Sequence, residues 1–262
     1  MAKIRHVAMM VHNPKALRDY YVQGFGFEQC YESKTGSVMV TDGLFNLALL
    51  QIRGGDSAVV GTHRADGGEA NQQPGINHFG FVVDSVDETL ARLGGDLKHG
   101  QNPQDGRPAE MRVVDPWGNN FDLSARGYFG REEKRVPAIR QVILQADDPA
   151  AVAAFFKDKL ELQEEGTAPD GAVALGDGHV HLAVVPQGLT AKRGIQAIGI
   201  QVDDWAALRQ RFAAMGQTLP SAPSDDAKVT VRDPEGNVLV LSVTGFDRAP
   251  EPAKPLASSS RA

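Results

Sequence analysis

Ile4-Arg5-His6-Val7-Ala8-Met9-Met10-Val11, followed by Asn13-Pro14 and Tyr20-Tyr21, returns 135 positions later as Ile139-Arg140-Gln141-Val142-Ile143-Leu144, Asp148-Pro149 and Phe155-Phe156. Both copies show a β-favourable alternation that gives way to proline at the first turn of an amphipathic helix. Further along, Gly75-Ile76-Asn77-His78-Phe79-Gly80 matches Gly194-Ile195-Gln196-Ala197-Ile198-Gly199 at an offset of 119, and Asp115-Pro116-Trp117-Gly118-Asn119 matches Asp233-Pro234-Glu235-Gly236-Asn237 at 118. Order and spacing agree over almost the whole chain, which is therefore read as an internal duplication.

Each half divides again. Residues 4–11 read as a strand, residues 14 to about 24 as a helix, and 27–33, 36–41 and 45–52 as strands, with Gly36 and Asp42-Gly43 as turns. The order recurs as a strand at 76–83, a helix at 85–94 and strands at 96–99, 110–114 and 120–124, and once more over 139–185 and 195–243. The predicted class is α+β, with four βαβββ units. Residues 53–74, rich in Gly and polar residues, read as a linker, residues 125–137 as a charged connection, and the Pro/Ala/Ser-rich end as a tail unable to fold alone. The expected division is a module at 1–127, a second at 138–247 and a flexible tail at 248–262.

The strands His6-Val-Ala-Met-Met-Val and His78-Phe-Gly-Phe-Val-Val and the turn-strand Asp115-Pro-Trp-Gly-Asn-Asn-Phe-Asp122-Leu-Ser resemble the vicinal oxygen chelate superfamily over about residues 4–245. That superfamily includes glyoxalases, extradiol dioxygenases, epimerases and drug-resistance proteins. The resemblance implies two tandem modules, each a curled eight-stranded sheet made of two βαβββ units. It also implies metal ligands on the first strand of each unit and on the last strand of the second, which here are His6, His78 and Asp122. Two departures stand out. Asp122 takes a place where most relatives have Glu, and the fourth strand, Phe45-Asn46-Leu47-Ala48-Leu49-Leu50, offers no Glu or Gln before Gln51.

Two imidazoles and one carboxylate on one face form the facial-triad ligand set of non-haem Fe(II) oxygenases, with positions left open to substrate or dioxygen. The expected cofactor is one divalent metal, Fe(II) first and Mn(II) next, with Co, Ni and Zn compatible with the same donors. Alternation puts His6, Ala8 and Met10 on one face of their strand and likewise His78, Gly80 and Val82 on one face of theirs, so small residues beside each histidine would leave room for a ligand. The duplication supplies a control: Gln141, Ala197 and Val240 stand at the matching positions, while the apolar and turn residues around them persist. Residues that served only the fold would be needed in both halves.

Other polar residues carry less. His179-Val180-His181 suggests two imidazoles on one strand face without a third ligand. His12 belongs with the start of the helix, and His63 and His99 with surface connections. Arg112 either binds an anionic substrate, pairs with Asp122 or points to solvent. Tyr20, Tyr21, Phe155 and Phe156 recur and read as core; Asp115 and Asp233 recur and read as turn-makers; Trp117 reads as an exposed turn residue.

A net charge of −6 without a basic cluster argues against nucleic acid. No apolar run approaches the length of a membrane span, and the basic start is followed by too short an apolar segment to read as a secretory leader. A single cysteine, Cys30, excludes an internal disulfide framework. The expected address is cytoplasmic and the expected partner a small molecule with vicinal oxygens, while association into a homo-oligomer is left open. The leading expectation is an extradiol-type dioxygenase. A metal-dependent lyase, isomerase or epimerase of the glyoxalase type and a non-catalytic drug-binding protein are the alternatives.

Overall fold

The computed structural model describes residues 1–52, 73–101, 109–131, 133, 135–190, 194–221 and 228–246. Residues 53–72 of the predicted linker, the tail, His63 and part of the charged connection lie outside them. The first unit runs β1 (Lys3–Val11), α1 (Pro14–Phe25), β2 (Glu28–Glu32), β3 (Val38–Thr41) and β4 (Asn46–Gln51). The second runs β5 (Gly75–Val82), α2 (Val86–Leu93), β6 (His99–Gln101), β7 (Met111–Val114) and β8 (Asn120–Ser124). The third runs β9 (Ala138–Gln145), α3 (Pro149–Leu160), β10 (Gln163–Thr167), β11 (Val173–Gly176) and β12 (His181–Val185). The fourth has β13 (Gly194–Gln201), α4 (Trp205–Ala214), β14 (Val229–Arg232) and β15 (Val238–Ser242).

These elements form an eight-stranded sheet, ordered β2-β3-β4-β1-β5-β8-β7-β6, and a sheet with seven strands among the described residues, ordered β10-β11-β12-β9-β13-β15-β14. The two tandem modules are thus α+β, as predicted. The expected eighth strand of the second sheet does not occur among the described residues. The strand expected at 96–99 begins only at His99, so this histidine opens an edge strand rather than lying in a connection.

In each sheet the first strands of the two units pair antiparallel at the centre, and each is flanked by a parallel last strand. Alternation sends Val7, Met9 and Val11 into a large core and His6, Ala8 and Met10 to the other face. That core is shared by the modules. Phe156 of α3 lies against Phe79, Phe81 and Phe121 of the first module, with centroids 5.7, 5.9 and 5.9 Å away. On the opposite flank Phe212 of α4 meets Tyr20 and Phe25 of α1, both at 5.2 Å. Of the recurrent aromatic pairs, Tyr20, Tyr21 and Phe156 are core, as expected, whereas Phe155 is only partly buried against it; the Tyr21 hydroxyl also donates to Asp233 at 3.0 Å.

The turn aspartates are more than turn-makers. Asp42 uses Oδ1 to accept from Leu44 and Phe45 at 2.8 and 2.7 Å, holding its own turn, while Oδ2 accepts from the Ile139 amide at 2.7 Å. Asp177 repeats the device: Oδ1 accepts from His179 and Val180, both at 2.9 Å, and Oδ2 accepts from the Ile4 amide at 2.7 Å. Arg5 adds an ion pair to Asp177 in which both side chains are buried. Each module therefore anchors the first strand of the other.

Candidate metal centre

Register brings the predicted residues together. His6 on β1 pairs with Asn46 on β4 and with Gly80 on β5, and Gly80 pairs in turn with Asp122 on β8. His78 lies two residues before Gly80, opposite Ala8, and Arg112 on β7 lies opposite Asp122. His6, His78, Arg112 and Asp122 are all buried. One donor atom from each of His6, His78 and Asp122 falls within 4.8 Å of the others, and this is the single such cluster found among the described residues.

Two asparagines that sequence reasoning passed over fix the imidazoles. His6 Nδ1 lies 2.7 Å from Asn46 Oδ1, and Asn46 turns its amide nitrogen to Cys30 Sγ at 3.5 Å. His78 Nδ1 lies 2.9 Å from Asn77 Oδ1. An amide oxygen only accepts, so both Nδ1 atoms carry the proton and both Nε2 atoms keep a lone pair for a ligand. Arg112 Nη2, which can only donate, stands 3.1 Å from His78 Nε2 and fits the same tautomer. Metal-binding histidines are commonly oriented in this way through the remote nitrogen.

The charge states fit a cation as well. Burial, and then the neighbouring His78, lower His6 to about 3; burial followed by Arg112 lowers His78. Burial pushes Asp122 upward, but Arg112 and His78 outweigh it and hold the carboxyl well below the usual carboxylate range. Two neutral imidazoles and a carboxylate make a competent donor set. Donors adjacent on one ion with bonds of ~2.1 Å lie roughly 3 Å apart, and His78 Nε2 is already 3.2 Å from Asp122 Oδ2.

The histidines also set an acid limit. Their folded pKa values lie below the 6.5 of the free side chain, so the unfolded chain takes up protons first as pH falls. With chelator present, stability should decline from about pH 6.5 downward by about 1.4 kcal/mol per pH unit for His6, with His78 adding in the same direction. Asp122 works in the other window, losing its contribution only below its unfolded value of 3.8. Urea midpoints between pH 7 and 4.5 check this; a flat profile above pH 5 would contradict it.

Gly80 does not leave the space expected for a ligand. A Cβ there would fall 2.7 Å from the Tyr128 hydroxyl, because the Tyr128 ring fills the gap and stacks on His6 with centroids 4.6 Å apart and planes 7° from parallel. Tyr128 is buried, and its hydroxyl has no hydrogen-bond partner among the described residues. Burial, and then the charge of Asp122, raise its pKa far above the ordinary phenol value.

The remaining candidates separate from this centre. His181, not His179, opens β12, so the two do not share a strand face; His181 pairs with Glu165, and His179 sits in the Asp177 turn. His12 is exposed at the start of the helix, 3.0 Å from Glu235. Trp117 is exposed, as expected. Asp115 and Asp233 bind the amides of their own turns. Gln51 donates to the His12 and Ile52 carbonyls, and Asn46 holds the fourth-strand position beside His6.

The family model of the glyoxalase/bleomycin resistance protein/dioxygenase superfamily matches residues 3–123, and that of a glyoxalase-like domain matches residues 141–242. The chain belongs to the vicinal oxygen chelate superfamily. Solved structures with this superfamily fold include the 2,3-dioxygenase LapB from Pseudomonas sp. KL28, at 16% identity and TM-score 0.64, covering 97% of this chain and 96% of that one. The Mn(II)-bound glyoxalase from Novosphingobium aromaticivorans is 19% identical, with TM-score 0.66 and coverage of 92% and 83%. Homoprotocatechuate 2,3-dioxygenase from Brevibacterium fuscum, in complex with 3,4-dihydroxyphenylacetate, is 11% identical, with TM-score 0.68 and coverage of 93% and 81%. No curated protein matches the sequence. No helix among the described residues is long and apolar enough to cross a membrane.

The second vicinal oxygen chelate module keeps the sheet and changes the site. Gln141 lies between His181 and Gly199, Gly199 pairs with Val240, and Val240 with Thr230. Phe246 fills the space over Gly199 as Tyr128 does over Gly80. Every polar member of the first centre is replaced at the matching register.

Proposed function

We propose that this chain is a metal-dependent enzyme of the extradiol-dioxygenase type, with His6, His78 and Asp122 holding one divalent metal, Fe(II) first and Mn(II) next. The supporting observation is a buried three-donor set whose fourth-strand neighbour, Asn46, is engaged with His6 rather than free to act as a ligand. Three protein ligands leave positions for a chelating substrate. The metal, when bound, supplies Lewis-acid and template chemistry to a substrate with two adjacent oxygens. A catechol meets that requirement, as does the dihydroxyphenyl ligand of the similar homoprotocatechuate enzyme. Asn46 and Asn77 hold the imidazoles with Nε2 inward. The buried Tyr128 hydroxyl is a donor without an acceptor among the described residues, and its role is to meet a substrate oxygen. The second module supports the first and carries no metal.

The likeness to a Mn(II)-bound glyoxalase favours a second reading, oxygen-independent lyase or isomerase chemistry on the same metal. Metal analysis after anaerobic purification, followed by oxygen uptake with catechols, separates the two. One equivalent of Fe or Mn, lost in His6→Ala, His78→Ala and Asp122→Ala, together with oxygen-dependent turnover, supports the proposal. Turnover without oxygen moves the function to the second reading, and no metal after reconstitution sinks both.

Tyr128→Phe is expected to keep the metal and to change stability by less than about 1 kcal/mol, since an unpaired buried hydroxyl contributes little and the second module already accepts Phe246 at this place. Its turnover should fall by about 10²-fold, the lower range for loss of one preorganised hydrogen-bond donor to developing charge. Unchanged kcat in the variant would remove Tyr128 from the chemistry.

A further inference from the structure

Arg112 stands where a cation belongs. Its Nη2 lies 3.1 Å from Asp122 Oδ2 and 3.1 Å from His78 Nε2, and its Nε donates to Asp122 Oδ1. A guanidinium has only donors, so these contacts occupy lone pairs on Oδ2 and Nε2 that a metal would need. A buried cation among buried acceptors completes the charge balance of the centre without help from solvent. The matching register position in the second module, opposite Val240, is Thr230. The arginine thus disappears together with His6, His78 and Asp122, while the fold persists. Its presence follows the candidate ligands rather than the fold.

Resting on the reading of those three residues as metal ligands, we propose that Arg112 is an internal counter-cation that an incoming divalent metal must displace from Asp122 Oδ2 and His78 Nε2. The Nε contact uses the other carboxylate oxygen and is outside this competition. Arg112 therefore sets how tightly the centre takes its metal. It also keeps Asp122 neutralised whenever the ion leaves. The opposite role, that of a residue supporting a bound metal, has the opposite sign: losing such a partner typically weakens metal binding 10–100-fold, whereas losing a competing positive charge strengthens it.

The test is calorimetric titration of the full chain with Mn(II), together with melting curves in chelator and in Mn(II), for wild type, Arg112→Gln and Arg112→Lys. Arg112→Gln is expected to bind Mn(II) about tenfold or more tightly than wild type, by relief of like-charge repulsion. Its melting temperature should fall in chelator and recover in Mn(II), by more than Mn(II) raises that of wild type, because the metal then supplies the missing charge. Arg112→Lys keeps a charge without the fork and should fall between them. If Arg112→Gln does not fold in chelator, Arg112→Lys decides, with tighter binding expected. A folded variant that binds Mn(II) no more tightly than wild type overturns this proposal alone. Absence of binding in all three proteins overturns it together with the metal reading. Binding by the variants but not by wild type supports the competition and confines the failure to the wild-type function.

Discussion

Asp122→Ala is expected to lose all bound metal and, in chelator, about 3–5 kcal/mol of folding stability, the usual cost of stranding one member of a buried ion pair. Arg112 is the stranded partner: it is buried, and its Nε and Nη2 donate to Asp122 and His78. His6→Ala and His78→Ala should also abolish metal binding, yet they remove neutral rings and leave the Arg112–Asp122 pair intact. Metal content and urea unfolding measured on the same three variants thus give different rankings. All three should be equal for metal, while Asp122→Ala stands apart for stability. If its midpoint in chelator matched that of His78→Ala, Arg112 would not depend on Asp122, and the charge balance drawn for this centre would be wrong.

The second large effect lies at the junction of the modules. Asp177→Ala leaves the Ile4, His179 and Val180 amides and the buried Arg5 guanidinium without their carboxylate, though Arg5 still donates to the Ile4 carbonyl, and a loss of about 3–5 kcal/mol is expected. The mirror change, Asp42→Ala, should cost about 1–3 kcal/mol, chiefly from three amides left unsatisfied. The guanidinium facing Asp42, that of Arg140, stands 3.7 Å off, keeps partial exposure and also donates to the Ile139 and Arg135 carbonyls. Chemical denaturation of the two variants measures the asymmetry. An Asp42→Ala protein less stable than Asp177→Ala would show that amide anchoring, not charge, holds the junction.

Much of the architecture could be read from the sequence because the residues that make strands, turns and caps are the ones a duplication must keep. Asn13-Pro14 and Asp148-Pro149 cap their helices in the same way, each side chain accepting from an amide three residues on. His6, His78 and Asp122 stood out because their counterparts are apolar or amide residues. What stayed hidden depends on pairing across strands. Only the β7–β8 register sets Arg112 opposite Asp122, whereas alternation within a single strand leaves its direction undetermined. Asn46 and Asn77 look like incidental polar residues in apolar strands until the ring nitrogens they face are known. Tyr128 follows the last strand of its module, where no periodicity applies, although the matched position, Tyr128 in one half and Phe246 in the other, was a legible signal. The cross-module use of Asp42 and Asp177 was equally invisible, since each also does the ordinary work of a turn.

That exchange imposes a timetable on synthesis. The amide of Ile4 waits for a carboxylate 173 residues downstream, an interval of roughly 9–35 s at about 5–20 residues per second. Until α3 is made, Phe79, Phe81 and Phe121 lack the ring of Phe156 that covers them in the finished protein. The half that bears the histidines leaves the ribosome first, sticky and unlatched, and its natural chaperone is the later-born copy of itself.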